Sequence, residues 1–402
     1  MGTTRLSAKP TPSLAPVTWT LFLTLAAYGL ALFGVGPSLI ALSRDYRVPL
    51  GRTGTLFTAF FIGFMMGVMA AGYLAERWGK KRVLAFGLGV LAAGLLLFGL
   101  APGLGRFELA LAAIWLFGCG GALMETSSSA LVTDVNPERA AFALNLSQAF
   151  FGIGAIAGPG LVGYMLSHGI SWRVHFYLSA AVVAAILVAL LPQKAKDLPS
   201  EPATWARLGA IVRRPVFLLS AVSMALYIGA EIGYSGWISA FLERTLQARP
   251  DVASQGVAAY WLGMTAGRFI SGWAAERLGS ERLVVVLATI AGLACLATAY
   301  AGTPTMGLAL AALGGVGMSG IFASILTTAS SHFPGVTATV FAMVMVCVGV
   351  GGMSFPAAMG ALADGYGLRL AMVVPALLLA TLGTVMVALH RLRPGGGGAP
   401  DR

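Results

Sequence analysis

Three ionisable residues stand where water is not expected: Glu125 in FGCGGALMETSSSAL, Glu231 in LYIGAEIGYSGWISAFLE and Arg268 in WLGMTAGRFISG. A carboxyl group held in an apolar helix is costly if it faces lipid, so it should point into a bundle or a water-filled cavity. A group that binds or releases a proton according to the side it faces is what proton-coupled transport requires. The competing reading of Glu125 is a neutral, hydrogen-bonded carboxyl that only fastens two helices. Glu231 has Tyr227 at i−4, Tyr234 at i+3 and Ser235 at i+4, so on a helix all three share its face, with Trp237 about a turn farther on. Aromatic rings over the C–H face of a sugar, with hydroxyls and a carboxylate for its OH groups, make a polyol site. For Trp237 an aromatic belt at the membrane interface is the competing reading.

The elements that position these residues are transmembrane helices. Of the 402 residues, 57% are hydrophobic and only 10% are charged, which is far from a soluble domain. Apolar runs long enough to cross a hydrocarbon core ~30 Å thick recur along the chain. Twelve spans are expected, at 17–43, 52–75, 83–102, 107–133, 140–166, 174–192, 215–242, 252–275, 283–302, 305–330, 336–361 and 370–390. The polar segment 193–214 divides them into two six-helix bundles, 17–192 and 215–390, flanked by tails at 1–16 and 391–402. The first run is too long for a cleaved signal and stays as the first span. In this layout Glu125 lies about 8 residues, or ~12 Å, from one end of span 4. Asn145 and Gln148 in span 5 reach comparable depth, so the hairpin can gather all three.

Basic residues favour the cytoplasmic side of short loops. With the amino terminus inside, Lys9, Lys80, Lys81, Lys194 and Lys196 all fall inside, which puts both termini in the cytoplasm of a multi-pass inner-membrane protein. The net charge of +11 then reads as a topology signal in contact with the lipid bilayer, and no nucleic-acid partner is expected. Cys119, Cys295 and Cys347 sit on separate spans without metal-ligand spacing, so neither a metal nor another cofactor is expected. His168, His175, His332 and His390 lie near span ends, where solvated or interfacial roles are expected. The glycine runs at 152–158, 314–320 and 347–352 follow no strand and read as helix-packing surface. No nucleophile–base or metal constellation appears within the spans, so the chain is not read as an enzyme. No ATP-binding motif is present either, which leaves an ion gradient or the solute's own gradient as the driving force.

The most specific signal is a repeat. Residues 72–82 read GYLAERWGKKR and residues 272–282 read GWAAERLGSER, so Gly72/Gly272, Glu76/Glu276, Arg77/Arg277, Gly79/Gly279 and Arg82/Arg282 recur at a spacing of 200. Each copy follows the second span of its half, the mark of a parallel repeat about an axis along the membrane normal. Gly72 and Gly272 would let helices approach closely at the cytoplasmic surface, and the charged residues would form a conformational lock there. Arg268, two turns before Glu276, is assigned to the same cytoplasmic gate. With it so assigned, no central Arg or Lys is apparent for an anionic solute, which favours a neutral hydroxylated solute or a cation.

The pattern G-x-L-A-E-R-x-G-K-K between spans 2 and 3 resembles the signature loop of the major facilitator superfamily, with Glu76 where that family usually has Asp. The stretches GALMETSSSALVTDV and ALNLSQAFFGIGAIAGP are further similar to its fucose–galactose–glucose:proton symporter branch. That resemblance implies an all-α fold of twelve helices in two pseudo-symmetric bundles, a monomer, and symport of a monosaccharide with H+ by alternating access. It also implies proton-coupling and sugar-binding roles at Glu125, Asn145 and Gln148. The branch's acid in span 1 has no counterpart in YGLALFGVGPSLIAL, and Glu231 is the group that could stand in for it. The alternative within the same fold is a proton-driven efflux antiporter for lipophilic or cationic compounds.

Overall fold

The computed structural model describes residues 14, 16–195, 211–333 and 337–391. Most of the expected central loop and nearly all of both tails therefore lie outside the described residues. Within them the chain is helical, without strands, and makes twelve passes. Eleven described helices are long and apolar enough to cross a membrane. The remaining pass, span 8, is the 29-residue helix Pro250–Leu278, as long as its neighbours but diluted by Asp251, Gln255, Arg268 and Arg277.

Three expected spans are interrupted. Span 1 is two helices, Pro16–Phe33 and Val35–Tyr46. Pro37 has no N–H to offer the Phe33 carbonyl four residues back, so the ladder fails at this point. The Ser38 hydroxyl donates to the Gly34 carbonyl beside this break at 2.8 Å. Span 10 is Pro304–Met318 and Ile321–Ser331, interrupted at Ser319 and Gly320, where the Ser319 hydroxyl bonds Ser271 of span 8 at 2.7 Å. Span 12 begins with the short helix Leu368–Ala371 and continues as Val374–Arg391.

The packing repeats as the sequence does. In the first half span 1 packs on span 5 and span 4 on spans 2 and 3; in the second, span 7 packs on span 11 and span 10 on spans 8 and 9. Glycines make the closest approaches. A Cβ at Gly118 would strike the Phe60 backbone, and one at Gly315 the Tyr260 backbone. Gly120 lies on Leu91 in the same way that Gly317 lies on Ala291. The partners 60/260 and 91/291 keep the spacing of 200 seen in the loops. Backbones brought this close gain dispersion contacts where lipid tails provide no hydrophobic drive.

The repeated loop has a backbone reason for its second glycine. Gly79 and Gly279 adopt φ 82°, ψ 150° and φ 77°, ψ 152°, a region that side chains exclude. Each donates its N–H to the carbonyl four residues back, Ala75 or Ala275, at 3.0 Å, and then turns the chain into the next span. A Cβ at Gly279 would meet open space, so Gly279→Ala isolates the backbone strain. The expected cost is about 1–3 kcal/mol, read as a lower melting temperature of the purified protein.

The two halves meet in the part of the bundle remote from these loops. There the Trp237 indole donates to the Pro356 carbonyl at 3.0 Å, Gly51 N–H to Asp364 at 2.7 Å, and the Thr58 hydroxyl to the Met353 carbonyl at 2.7 Å. The Phe33 and Trp261 rings lie 4.2 Å apart, Gly36 lies on Gly236, and Gly163 lies on Ser254.

Candidate functional site: the acids and the repeated loops

The named cross-half contacts seal the far end, while the repeat loops at the other end stand open. Gly72, Glu76, Arg77, Arg82, Gly272, Glu276 and Arg277 are all exposed, and Gly79 is half-buried. A Cβ on Gly72 or Gly272 would meet nothing within 4 Å, so the close helix approach expected there is absent from this arrangement. Glu76 and Glu276 form no ion pair among the described residues. The Arg77 guanidinium instead lies 4.4 Å from the centre of the Tyr73 ring, and that of Arg277 lies 4.0 Å from the centre of the Trp273 ring.

Charged residues the motif reading did not single out fasten these loops. Lys80 pairs with Asp134, at the end of span 4, at 2.6 Å with both side chains nearly buried. Lys81 donates to the carbonyls of Leu191, at 2.9 Å, and Gln193 at the end of span 6. Its counterpart Glu281 binds His390, at the end of span 12, at 2.6 Å. Positions 81 and 281 thus tie each loop to the last span of its half with opposite charges. This role is hidden in the sequence because the charge changes sign between the copies.

Glu125 is half-buried in span 4 and makes no hydrogen bond or ion pair among the described residues. The hydroxyl end of the fully buried Tyr28 lies over Gly121, one turn before it on the same helix. Gln148 is half-buried and Asn145 exposed on span 5. The adjoining turns of span 5 pack Gly154 and Gly158 against Ala26 and Leu30 of span 1. Tyr28 was missed, although LAAYGLALFG repeats in span 7 as MALYIGAEIG with Tyr227 at its place. In that register Glu231 occupies the position of Leu32.

Glu231 is half-buried beside Tyr227, whose hydroxyl also donates to the Met318 carbonyl at 3.2 Å. Arg268 is exposed about 10 residues, or ~15 Å, before the motif end of its helix. Its charge acts on both Glu231 and Tyr227. No hydrogen bond or ion pair joins Arg268 to Glu231 in this arrangement; the Arg268 guanidinium lies 3.8 Å from the Met264 sulfur of its own helix. The other two aromatic residues are committed elsewhere in this arrangement. The Tyr234 hydroxyl is shared with Thr298 at 2.8 Å, and Trp237 sits in the far-end seal against Gly54 and Gly360.

The histidines also divide. His168 is exposed on the Tyr164 carbonyl, whereas His175, expected in a solvated or interfacial place, is fully buried against Gly34. Its position three residues into the helix Arg173–Leu190 placed it near a span end, but packing on the interrupted span 1 removes it from water. No group of His, Cys, Asp or Glu among the described residues could hold a metal ion.

The chain is 27% identical over 334 residues to a glucose/galactose transporter of Brucella abortus (strain 2308), covering 79% of this chain and 80% of that protein. It is 22% identical over 346 residues to a TsgA homologue of Yersinia pestis (strain Pestoides F), covering 84% and 85%. Among solved structures it resembles the E. coli fucose:proton symporter FucP with TM-score 0.63 and 20% identity, over 93% of this chain and 97% of that one. A bacterial homologue of the human lysosomal transporter Spinster, solved inward-facing and unoccupied, gives TM-score 0.80 at 15% identity, over 93% and 96%. The sequence profile of the Major Facilitator Superfamily matches residues 21–245 and 222–401, so both halves are accounted for and the chain belongs to that family.

Proposed function

We propose that this protein is a proton-coupled symporter of a neutral monosaccharide, with the repeat loops on the cytoplasmic side and the described arrangement its inward-open state. The observation that carries the reading is Glu125: a carboxyl within a transmembrane helix, beside Tyr28, with no counter-charge pairing it. Such a group can carry a proton through the cycle at low electrostatic cost only when neutral, so its loading can be linked to the passage of a neutral solute. Arg268 would offset the charge of Glu231 if the cycle brings the two together, which would leave hydroxyl and amide groups to recognise the solute. Asn145, Gln148, Tyr227 and Glu231 are the assigned sugar contacts, with Tyr234 and Trp237 joining if the seal opens. The similarity to the Brucella glucose/galactose transporter and to the fucose:proton symporter FucP supports a sugar as the cargo. In the outward-open state Gly72, Glu76, Arg77, Gly79, Arg82, Gly272, Glu276 and Arg277 would close the cytoplasmic gate.

The test is uptake into proteoliposomes of labelled D-glucose and D-galactose, with and without an inward proton gradient. Accumulation of either sugar above its external concentration, abolished by a protonophore, is the expected result. Absence of sugar counterflow together with expulsion of a lipophilic cation in exchange for protons would establish the antiporter instead.

A further inference from the structure

Among the described residues His175 is a buried ionisable side chain that neither the transport reading nor any ion pair uses. His175 has no exposed surface, and neither ring nitrogen reaches a hydrogen-bond partner. Its Nε2 lies against Gly34, where span 1 is interrupted, close enough that a Cβ at that position would collide with it. The ring faces the Leu30 and Ala31 carbonyls from the last turn before the interruption, without achieving hydrogen-bond geometry.

The remaining surroundings supply no charge. Phe176 of the same span meets the imidazole edge-on at 5.0 Å, and Phe98 of span 3 covers Phe176 at 4.9 Å. The nearest ionic group outward along the span is the Arg173–Asp45 pair at 3.0 Å, to which Trp172 also donates. Asp45 is thereby engaged with Arg173 and Trp172, and among the described residues no charged side chain acts on His175. An imidazolium here would have neither a counter-ion nor water, and burying such a charge costs far more than burying the neutral ring.

We propose that His175 is a second proton-linked residue of the transport cycle, a neutral wedge in the Gly34 interruption that lets the far end seal, and whose protonation drives that end open. The inference rests on reading the chain as an alternating-access carrier, but it requires no particular solute. The two carbonyls facing the ring are suited to receive N–H donors once the interruption rearranges and water enters. A more acidic exterior should therefore hold the carrier outward-open, ready to load, while neutral pH should favour the sealed arrangement described above. His175 acts through span 1 and is a positioning residue; it need not touch the solute.

The experiment uses the full chain in lipid nanodiscs with Cys119, Cys295 and Cys347 replaced and spin labels at Leu104 and Tyr300, exposed at the far end of opposite halves. Glu125→Gln and Glu231→Gln are included throughout, so that neither of the other candidate proton sites can produce the response. Acidification from pH 8 to pH 5 should raise the long-distance, outward-open population several-fold, and His175→Gln should remove that response while keeping the short distance at pH 8. A pH response unchanged in His175→Gln would overturn the proposal. If that variant does not fold, imidazole nitrogen NMR of the parent protein decides: a His175 ring that remains neutral from pH 5 to pH 8 overturns the proposal, and one that gains its proton as the distance lengthens supports it. Sugar uptake has no part in either readout, so a wrong substrate assignment leaves the result interpretable.

Discussion

Replacing Glu125 with Gln is expected to abolish gradient-driven accumulation while leaving sugar exchange at equal pH intact. One pH unit across the membrane is worth about 1.36 kcal/mol per proton, which at one proton per sugar sustains about tenfold accumulation. Gln is the neutral isostere of the protonated acid, so it preserves shape and removes only the exchange of the proton. The accumulation ratio should therefore fall from roughly tenfold to one under that gradient. Counterflow, which needs the solute-bound carrier to reorient but no net proton release, should persist. The half-buried position of Glu125, free of hydrogen-bond or ionic partners in the described arrangement, is what makes this substitution mild for the fold. Retention of full pH-driven accumulation in Glu125→Gln would remove the residue from coupling.

The second large effect is expected at Lys80. Its ammonium and the Asp134 carboxylate are 2.6 Å apart with side chains only 10% and 12% exposed, so water screens their attraction little. Lys80→Met should destabilise the protein by up to about 3–5 kcal/mol, because it breaks an ion pair between largely buried side chains. The double substitution Lys80→Met, Asp134→Leu should be milder than the sum of its parts, since the two side chains interact directly and are removed together. Thermal unfolding in detergent of the parent, the two single variants and the double variant measures the coupling. Additive losses would show that the pair contributes no interaction of its own.

The sequence made the scaffold legible because two of its signals are insensitive to detail. Apolar runs of transmembrane length need no partner to be recognised, and the glycine that ends span 2 or span 8 is required by a backbone conformation whatever surrounds it. The interruptions were less visible. Span 1 still reads as one apolar run, and only the missing N–H of Pro37 identifies where its ladder fails. At the site, Glu125 and Glu231 declared themselves by cost, as charges among apolar residues. Tyr28 and His175 did not, since their meaning lies in a neighbour on another span: Gly121 in one case and Gly34 in the other. Arg268 shows the limit most clearly. Distance along the helix suggested the gate, but in this arrangement the residue is exposed and bonds only Met264 of its own helix among the described residues, so the sequence could not say which charge it would meet.

The resting places of Arg77 and Arg277 bear on how the cycle is paced. Each guanidinium leans on a ring of its own helix, one turn back, so leaving the closed gate trades one partner for another without stranding a cation. Because both partners belong to the same helix, each half can make that trade alone. Under the proposed gating role the two loops would act as two independent catches, and a carrier with one catch set and the other released would be a natural waypoint between the two open states.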